Sequence, residues 1–396
     1  MSSTRTSLEG LPETLLMGPG PSMVHPSTLR AMAAPSLGHL DPRFLAIMDE
    51  TVGMLRRVFA TTNPITLPLS GTGTAGMEAA LANAIEPEDR VIVVVNGYFG
   101  DRMAEMARRL GGEVDVVEVP WGKAVDPEQV EEVARRGRAP RVLAMVHAET
   151  STGVLQPIEP LAALARQYDA LLVVDAVTSL GGVPVEVDRA GVDLCYSGSQ
   201  KCLSAPPGLA PFTASPRAMR RLEARKRDVF SWYLDLRLVA AYWGQQRVYH
   251  HTAPVHMVYA LHRALERVLE EGLEARWQRH RRVARALWAG LEALGLQLAV
   301  TDPALRIASL TTVRVPEGVD DAGVRRTLLE EFGIEIGGGL GPWKGQVWRI
   351  GTMGESAALR HVSRLVAALG ELLRRQGWRN DVTGALAAVT EAARRE

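Results

Sequence analysis

Four short apolar runs dominate the first half of the chain: Val91 to Val95 (VIVVV), Val142 to Val146 (VLAMV), Leu171 to Val174 (LLVV) and Asp193 to Tyr196 (DLCY). None alternates apolar with polar residues, so each predicts a strand buried on both faces. Helix-length segments lie between them, the spacing of parallel strands joined by crossovers. The expected architecture is an α/β fold, a mostly parallel layered sheet covered by helices.

The rest of the chain divides around that unit. Gly18-Pro19-Gly20-Pro21 cannot be helical and reads as the end of an N-terminal arm, residues 1–21. Apolar residues at three and four spacing from Val255 to about Leu294 predict long helices with a break at Gly272. Beyond them the pattern predicts a strand (Leu310 to Val315), a helix (Asp321 to Phe332), two short strands (Ile334 to Ile336 and Val347 to Ile350) and a final amphipathic helix from Ser356 to about Arg375. That is a smaller α+β layer with two helices on one sheet face. The expected domains are residues 22–272 and 273–396.

Composition removes whole classes of function. With 45 basic against 45 acidic residues there is no electrostatic footprint for nucleic acid, and the densest basic run, RRLEARKR, is broken by Glu223 and reads as a solvated helix face. No apolar run reaches the roughly 18 residues of a membrane span, and MSSTRTSLEG has no hydrophobic signal core. Two cysteines, Cys195 and Cys202, are too few for a disulfide framework or a zinc site. The expected compartment is the cytoplasm, with no membrane, nucleic-acid or metal partner.

Ligands of open α/β sheets bind beyond the carboxyl ends of the strands. The residues that follow the four runs are Asn96-Gly97-Tyr98-Phe99, His147-Ala148-Glu149-Thr150, Asp175, and Ser197 to Lys201. An aromatic ring, a hydroxyl, a carboxylate and a lysine are thus aimed at one crevice, the inventory of a pyridoxal phosphate site.

Lys201 is the sharpest of these signals. Only four of the 45 basic residues are lysines (Lys123, Lys201, Lys226, Lys344), so arginine serves almost wherever surface charge is wanted. A Schiff base needs an amine that can lose its proton, which a desolvated lysine does and a guanidinium does not. Position alone leaves open a lysine that merely caps the sheet edge. Asp175 is likewise either a helix cap or the anion beside a protonated ring nitrogen. Ser70-Gly71-Thr72-Gly73-Thr74-Ala75-Gly76 opens a helix and has the form of a phosphate cradle, or of an ordinary capped turn. It carries no P-loop Gly-Lys-Ser/Thr, no dinucleotide spacing and no clear strand immediately before it. Arg349, inside the apolar Val347-Trp348-Arg349-Ile350, suits a substrate carboxylate or an interdomain salt bridge.

Taken in order, LLMGPGPS, NPITLPLSGTGTAGMEAAL, VNGYFGDR, ETSTGVLQP, LLVVDAVTSLGG, DLCYSGSQKCLSAPPG, YHHTAP, IEIGGGLG and WRIGTMG resemble the class V pyridoxal-phosphate aminotransferases, alanine–glyoxylate and serine–pyruvate type, over nearly the whole chain. The resemblance implies fold type I with a seven-stranded-type sheet and pyridoxal 5′-phosphate as cofactor. It implies Lys201 as the Schiff-base lysine and Asp175 on the ring nitrogen, with Val177 packed against the ring. Thr150 matches the hydroxyl beside the ring oxygen, and Phe99 stands where relatives carry a stacking aromatic, often tryptophan. Thr72, Gly73, Thr74 and Gln200 match phosphate contacts; relatives with histidine at the last of the loop positions differ here. Tyr249 and Thr252 match residues that reach the phosphate of the neighbouring subunit, which implies a homodimer. Arg349 matches the carboxylate arginine. The reaction implied moves an amino group from alanine or serine to glyoxylate or pyruvate. The alternatives are a serine–glyoxylate or ureidoglycine–glyoxylate enzyme of the same branch, or a cysteine desulfurase-like lyase, which needs a cysteine on a mobile loop.

Overall fold

The structure is a computed structural model that describes residues 10–395; residues 1–9, most of the MSSTRTSLEG start, and Glu396 lie outside the described residues. Its main sheet has seven strands: β1 (Ile65–Ser70), β2 (Arg90–Val95), β3 (Glu113–Glu118), β4 (Val142–Val146), β5 (Leu171–Asp175), β6 (Leu194–Tyr196) and β7 (Leu209–Ala214). They lie in the order β1-β7-β6-β5-β4-β2-β3. All the pairings among β2 to β6 are parallel, and β7 runs antiparallel between β1 and β6.

Strands β2, β4 and β5 are buried at every position, as unbroken apolar runs require at the centre of a sheet covered by helices. Full burial of a side chain such as Val93 or Val173 contributes roughly 1.5–3 kcal/mol relative to exposure. Three strands were not anticipated. β3 is an edge strand with a half-exposed, mixed sequence, EVDVVE. β1 and β7 each contain a proline, a residue that reads against a sheet interior. Pro68 and Pro211 face each other across the β1–β7 pair, and the Pro211 carbonyl accepts from Ser197 N at 2.8 Å. The Gly/Thr-rich loop therefore does follow a strand directly, contrary to expectation: β1 runs into it, and helix α1 (Gly73–Ala84) leaves it. In the same way β2 passes through Asn96 and Gly97 into α2 (Tyr98–Arg109).

Two long helices follow, α3 (Val255–Glu271) and α4 (Leu273–Ala293), broken at Gly272 with φ +83°, where expected. The second sheet joins β8 (Leu310–Arg314), β9 (Gly337–Gly338) and β10 (Val347–Gly351), antiparallel, in the order β8-β10-β9. Helices α5 (Asp321–Phe332), α6 (Leu359–Arg375) and α7 (Val382–Ala392) complete this part. The layer differs from the expectation of two helices: α4, α5, α6 and α7 all send side chains into its core, and α7, not α6, is the last. The helix expected from Ser356 begins at Leu359, because Ser356 is spent elsewhere; its hydroxyl donates to Leu16 O at 2.7 Å and accepts from Met23 N at 2.9 Å. The expected strand at Ile334 pairs in parallel with arm residues Leu15–Leu16 instead of joining the second sheet. Leu15 and Met17 are buried in the same core. No helix among the described residues is long and apolar enough to cross a membrane.

Candidate active site

The carboxyl ends of β1, β2, β4, β5 and β6 open on one cavity of about 250 Å³. Asp175, the last residue of β5, is 4% exposed. Its Oδ1 accepts from Val177 N at 2.8 Å and its Oδ2 from the Tyr196 hydroxyl at 2.9 Å. Burial pushes the acid up to about 6, and those two donors hold it down against that pressure. Lys201 lies in the same cavity, on the loop that leaves β6. Burial and the nearby Arg349 charge lower its ammonium to about 8, so roughly a tenth of it is neutral at pH 7.

The arm comes over this lysine. Lys201 Nζ donates to the Pro19 carbonyl, and Ser22 braces the loop through Oγ to Lys201 O at 2.7 Å and N to Gln200 O at 2.9 Å. A Cβ on Gly20 would sit 2.5 Å from Nζ, and its φ of +112° is open only to glycine without strain. The sequence marked this segment only as an arm; its Gly-Pro repeat was the sole signal of a backbone that must approach something closely.

Around these two groups the cavity wall carries Thr72, Gly73, Thr74, Phe99, Thr150, Val177 and Gln200. Thr72 precedes α1 without spending its hydroxyl as a cap. The loop and first turn of α1 thus point unpaired N–H groups and the positive end of the helix dipole at the cavity. A Cβ on Gly73 would lie 3.0 Å from Val177 Cγ2, so a side chain there would crowd the wall. Gln200 Oε1 is buried without a partner. Thr150 Oγ1 shares a hydrogen bond with Thr178 Oγ1.

Arg349, on β10, is 8% exposed, yet no ion pair reaches it among the described residues. Its Nε donates to Gly338 O at 2.7 Å and one Nη to Thr150 O at 3.4 Å. Burial lowers its guanidinium to about 10, opposed by the charge of Glu149. A buried cation whose hydrogen bonds are all to carbonyls is free to take an incoming carboxylate. The interdomain salt bridge considered as its alternative is not formed. Tyr249 and Thr252 are exposed and do not line this chain's cavity.

Sequence reasoning missed Met77, Val146 and Arg102 of the wall. Arg102 was findable, since it stands three positions after Phe99 and so faces the same side of α2. Its guanidinium lies 4.9 Å from the Phe99 ring centre and donates to Thr74 Oγ1 at 3.3 Å.

Residues 24–342 match the family model of class-V aminotransferases. The chain is a class-V aminotransferase. It is 44% identical to an alanine–glyoxylate aminotransferase of Callithrix jacchus, over 92% of this chain and 88% of the relative. Among solved structures, the alanine–glyoxylate aminotransferase of Nostoc sp. matches at 50% identity and TM-score 0.91, covering 93% of this chain and 98% of that one. The ureidoglycine–glyoxylate aminotransferase of Bacillus subtilis matches at 42% identity and TM-score 0.94, covering 97% and 99%. This aminotransferase has the mostly parallel sheet of fold type I and is pyridoxal-phosphate-dependent, as its family is.

Proposed function

We propose that this aminotransferase moves the amino group of alanine or serine to glyoxylate or pyruvate, with Lys201 as the attachment and proton-transfer amine. The observation that carries the reading is the meeting of half-buried Lys201 and buried Asp175 in one cavity. The residues present fit the cofactor. A half-buried amine titrating near 8 suits an aldehyde, a buried acid suits a ring nitrogen, and the α1 N-terminus suits a phosphate. When bound, the cofactor supplies a carbonyl that accepts the amino group and a ring that withdraws electrons.

Each side chain then has a task. Lys201 Nζ moves a proton to and from the substrate carbon, which a group titrating near 8 does in both directions. Asp175 keeps a proton on the ring nitrogen, and Val177 and Phe99 pack the ring between them. Thr150 donates beside the ring oxygen, while Thr72, Gly73, Thr74 and Gln200 hold the phosphate. Arg349 binds the carboxylate of the amino or keto acid.

Glyoxylate is preferred as acceptor because it stands in the names of both the 44%-identical relative and the 42%-identical structure. That second likeness also supports ureidoglycine as a rival donor. The desulfurase reading lacks its nucleophile: Cys195 and Cys202 are fully buried and burial pushes both thiols up, Cys202 to about 11.

Phe230, Trp232, Tyr233, Val248 and Tyr249 are exposed, and the Trp232 and Tyr233 rings lie against His250 and His251 of the Tyr249–Thr252 segment. This supports a homodimer in which Tyr249 and Thr252 reach the neighbouring phosphate. Two unpaired, buried cysteines are consistent with a cytoplasmic site of action. The deciding experiment is a donor panel of alanine, serine and ureidoglycine against glyoxylate and pyruvate. Preference for alanine or serine supports the reading, and turnover restricted to ureidoglycine replaces it.

A further inference from the structure

Helix α2 begins without a cap of its own. Its N-cap residue is Gly97, which has no side chain to offer the first-turn N–H groups. The missing acceptors come from a different part of the chain, the turn of the short hairpin that pairs Ala148–Glu149 with Val154–Leu155. Ser151 Oγ accepts from Tyr98 N at 2.9 Å, and Glu149 Oε2 accepts from Phe99 N at 3.1 Å and Gly100 N at 3.2 Å. Glu149 Oε1 is held by Ser151 N at 3.0 Å and Ser151 Oγ at 2.6 Å. A carboxylate that receives four donors at the positive end of a helix is where a negative charge belongs.

The fit is close. Glu149 is fully buried, and a Cβ on Gly97 would overlap its Cγ and the Ser151 hydroxyl. Burial pushes Glu149 up to about 7 in spite of the four donors, so near neutrality its charge depends on those donors being kept in place. The turn of α2 that it anchors carries Phe99 and Arg102 of the cavity wall. The residue after Glu149 supplies the carbonyl that receives an Arg349 Nη, and the Glu149 charge favours the protonated form of that buried guanidinium.

We propose that Glu149 is a positioning residue for the amino-group transfer: it caps α2 from outside and so holds Phe99 in the wall where a cofactor ring stacks, while the carbonyl of the next residue, Thr150, holds Arg349. This rests on the function reading above, and the test keeps the two apart.

Glu149→Gln is nearly isosteric but turns one acceptor into a donor. In the cofactor-free chain, amide exchange at Tyr98, Phe99 and Gly100 should speed up by about tenfold, the factor that accompanies loss of an ordinary cap. In the loaded enzyme the visible circular dichroism of the bound cofactor should fall. The cofactor dissociation constant and the KM for the amino acid should each rise about tenfold, with attachment to Lys201 retained. A merely structural residue would move the unfolding midpoint and leave the dichroism and the KM unchanged, and that result overturns the proposal. Gly97→Ala, which forces α2 off an intact Glu149, should reproduce the same shifts. If Glu149→Gln fails to fold, wild-type values in Gly97→Ala overturn the proposal alone. A wild-type chain that takes up no pyridoxal phosphate overturns the function reading, and this proposal with it.

Discussion

Replacing Tyr196 with phenylalanine removes one of the two donors that hold Asp175 ionised inside the protein. The folded, cofactor-free chain binds a proton at Asp175 more tightly than the unfolded chain does, about 6 against the ordinary 3.8. The sign follows from linkage. Stability associated with Asp175 is fully present below about pH 4 and is lost as pH rises through about 6, a loss of roughly 3 kcal/mol by neutrality. A hydrogen bond to a charged group is worth about 1.5–3 kcal/mol and one to the neutral acid about 1 kcal/mol, so losing the Tyr196 hydroxyl should raise Asp175 by the difference, roughly 0.5 to 1.5 pH units. The window of loss then extends to about pH 6.5–7.5. At pH 5 both proteins carry a protonated Asp175, and the variant should be less stable by only about 1 kcal/mol. At pH 8 the deficit should reach about 1.5–3 kcal/mol. Urea unfolding of the cofactor-free wild type and Tyr196→Phe at pH 5, 6, 7 and 8 reads this directly. A deficit that stays constant from pH 5 to pH 8 would refute the claim that the hydroxyl stabilises the ionised acid.

Four further outcomes are expected. Lys201→Ala should abolish both turnover and the visible absorbance of lysine-bound cofactor; a variant that keeps the band eliminates the assignment. In the cofactor-free wild type, the rate at which Lys201 reacts with a simple aldehyde should rise with pH around a midpoint of about 8, since burial lowers the ammonium from its ordinary 10.5, and a midpoint near 10.5 counts against desolvation. Arg349→Gln should raise the KM for the amino acid at least about 30-fold, the lower end for truncating one partner of a buried charge pair, with kcat less affected. Gly20→Ala should slow covalent cofactor uptake, because its Cβ would stand 2.5 Å from Lys201 Nζ at a φ of +112°; uptake at the wild-type rate would mean the arm lies elsewhere in solution.

Much of the main sheet was legible in the chain itself. Runs such as VIVVV and VLAMV bury both faces at the sheet centre, and no other local structure accommodates five consecutive apolar, β-branched-rich residues so well. Strand ends then point to the crevice, which is why Lys201, Asp175, Phe99 and Thr150 stood out by position, although their roles came from the resemblance. What the chain could not disclose depends on residues far apart in number. Strands β1 and β7 hide behind Pro68 and Pro211, which face each other in the folded register with β1 at the sheet edge. Ser356 is spent on Leu16 and Met23 rather than on the helix after it, and Pro19 finds Lys201 across 182 positions. The Glu149 cap on α2 belongs to the same class, since a side chain fifty residues downstream replaces what Gly97 lacks. Local pattern encodes which backbone is buried, because burial repeats with the period of the element. Which donor meets which acceptor depends on where the elements come to rest, and only packing decides that.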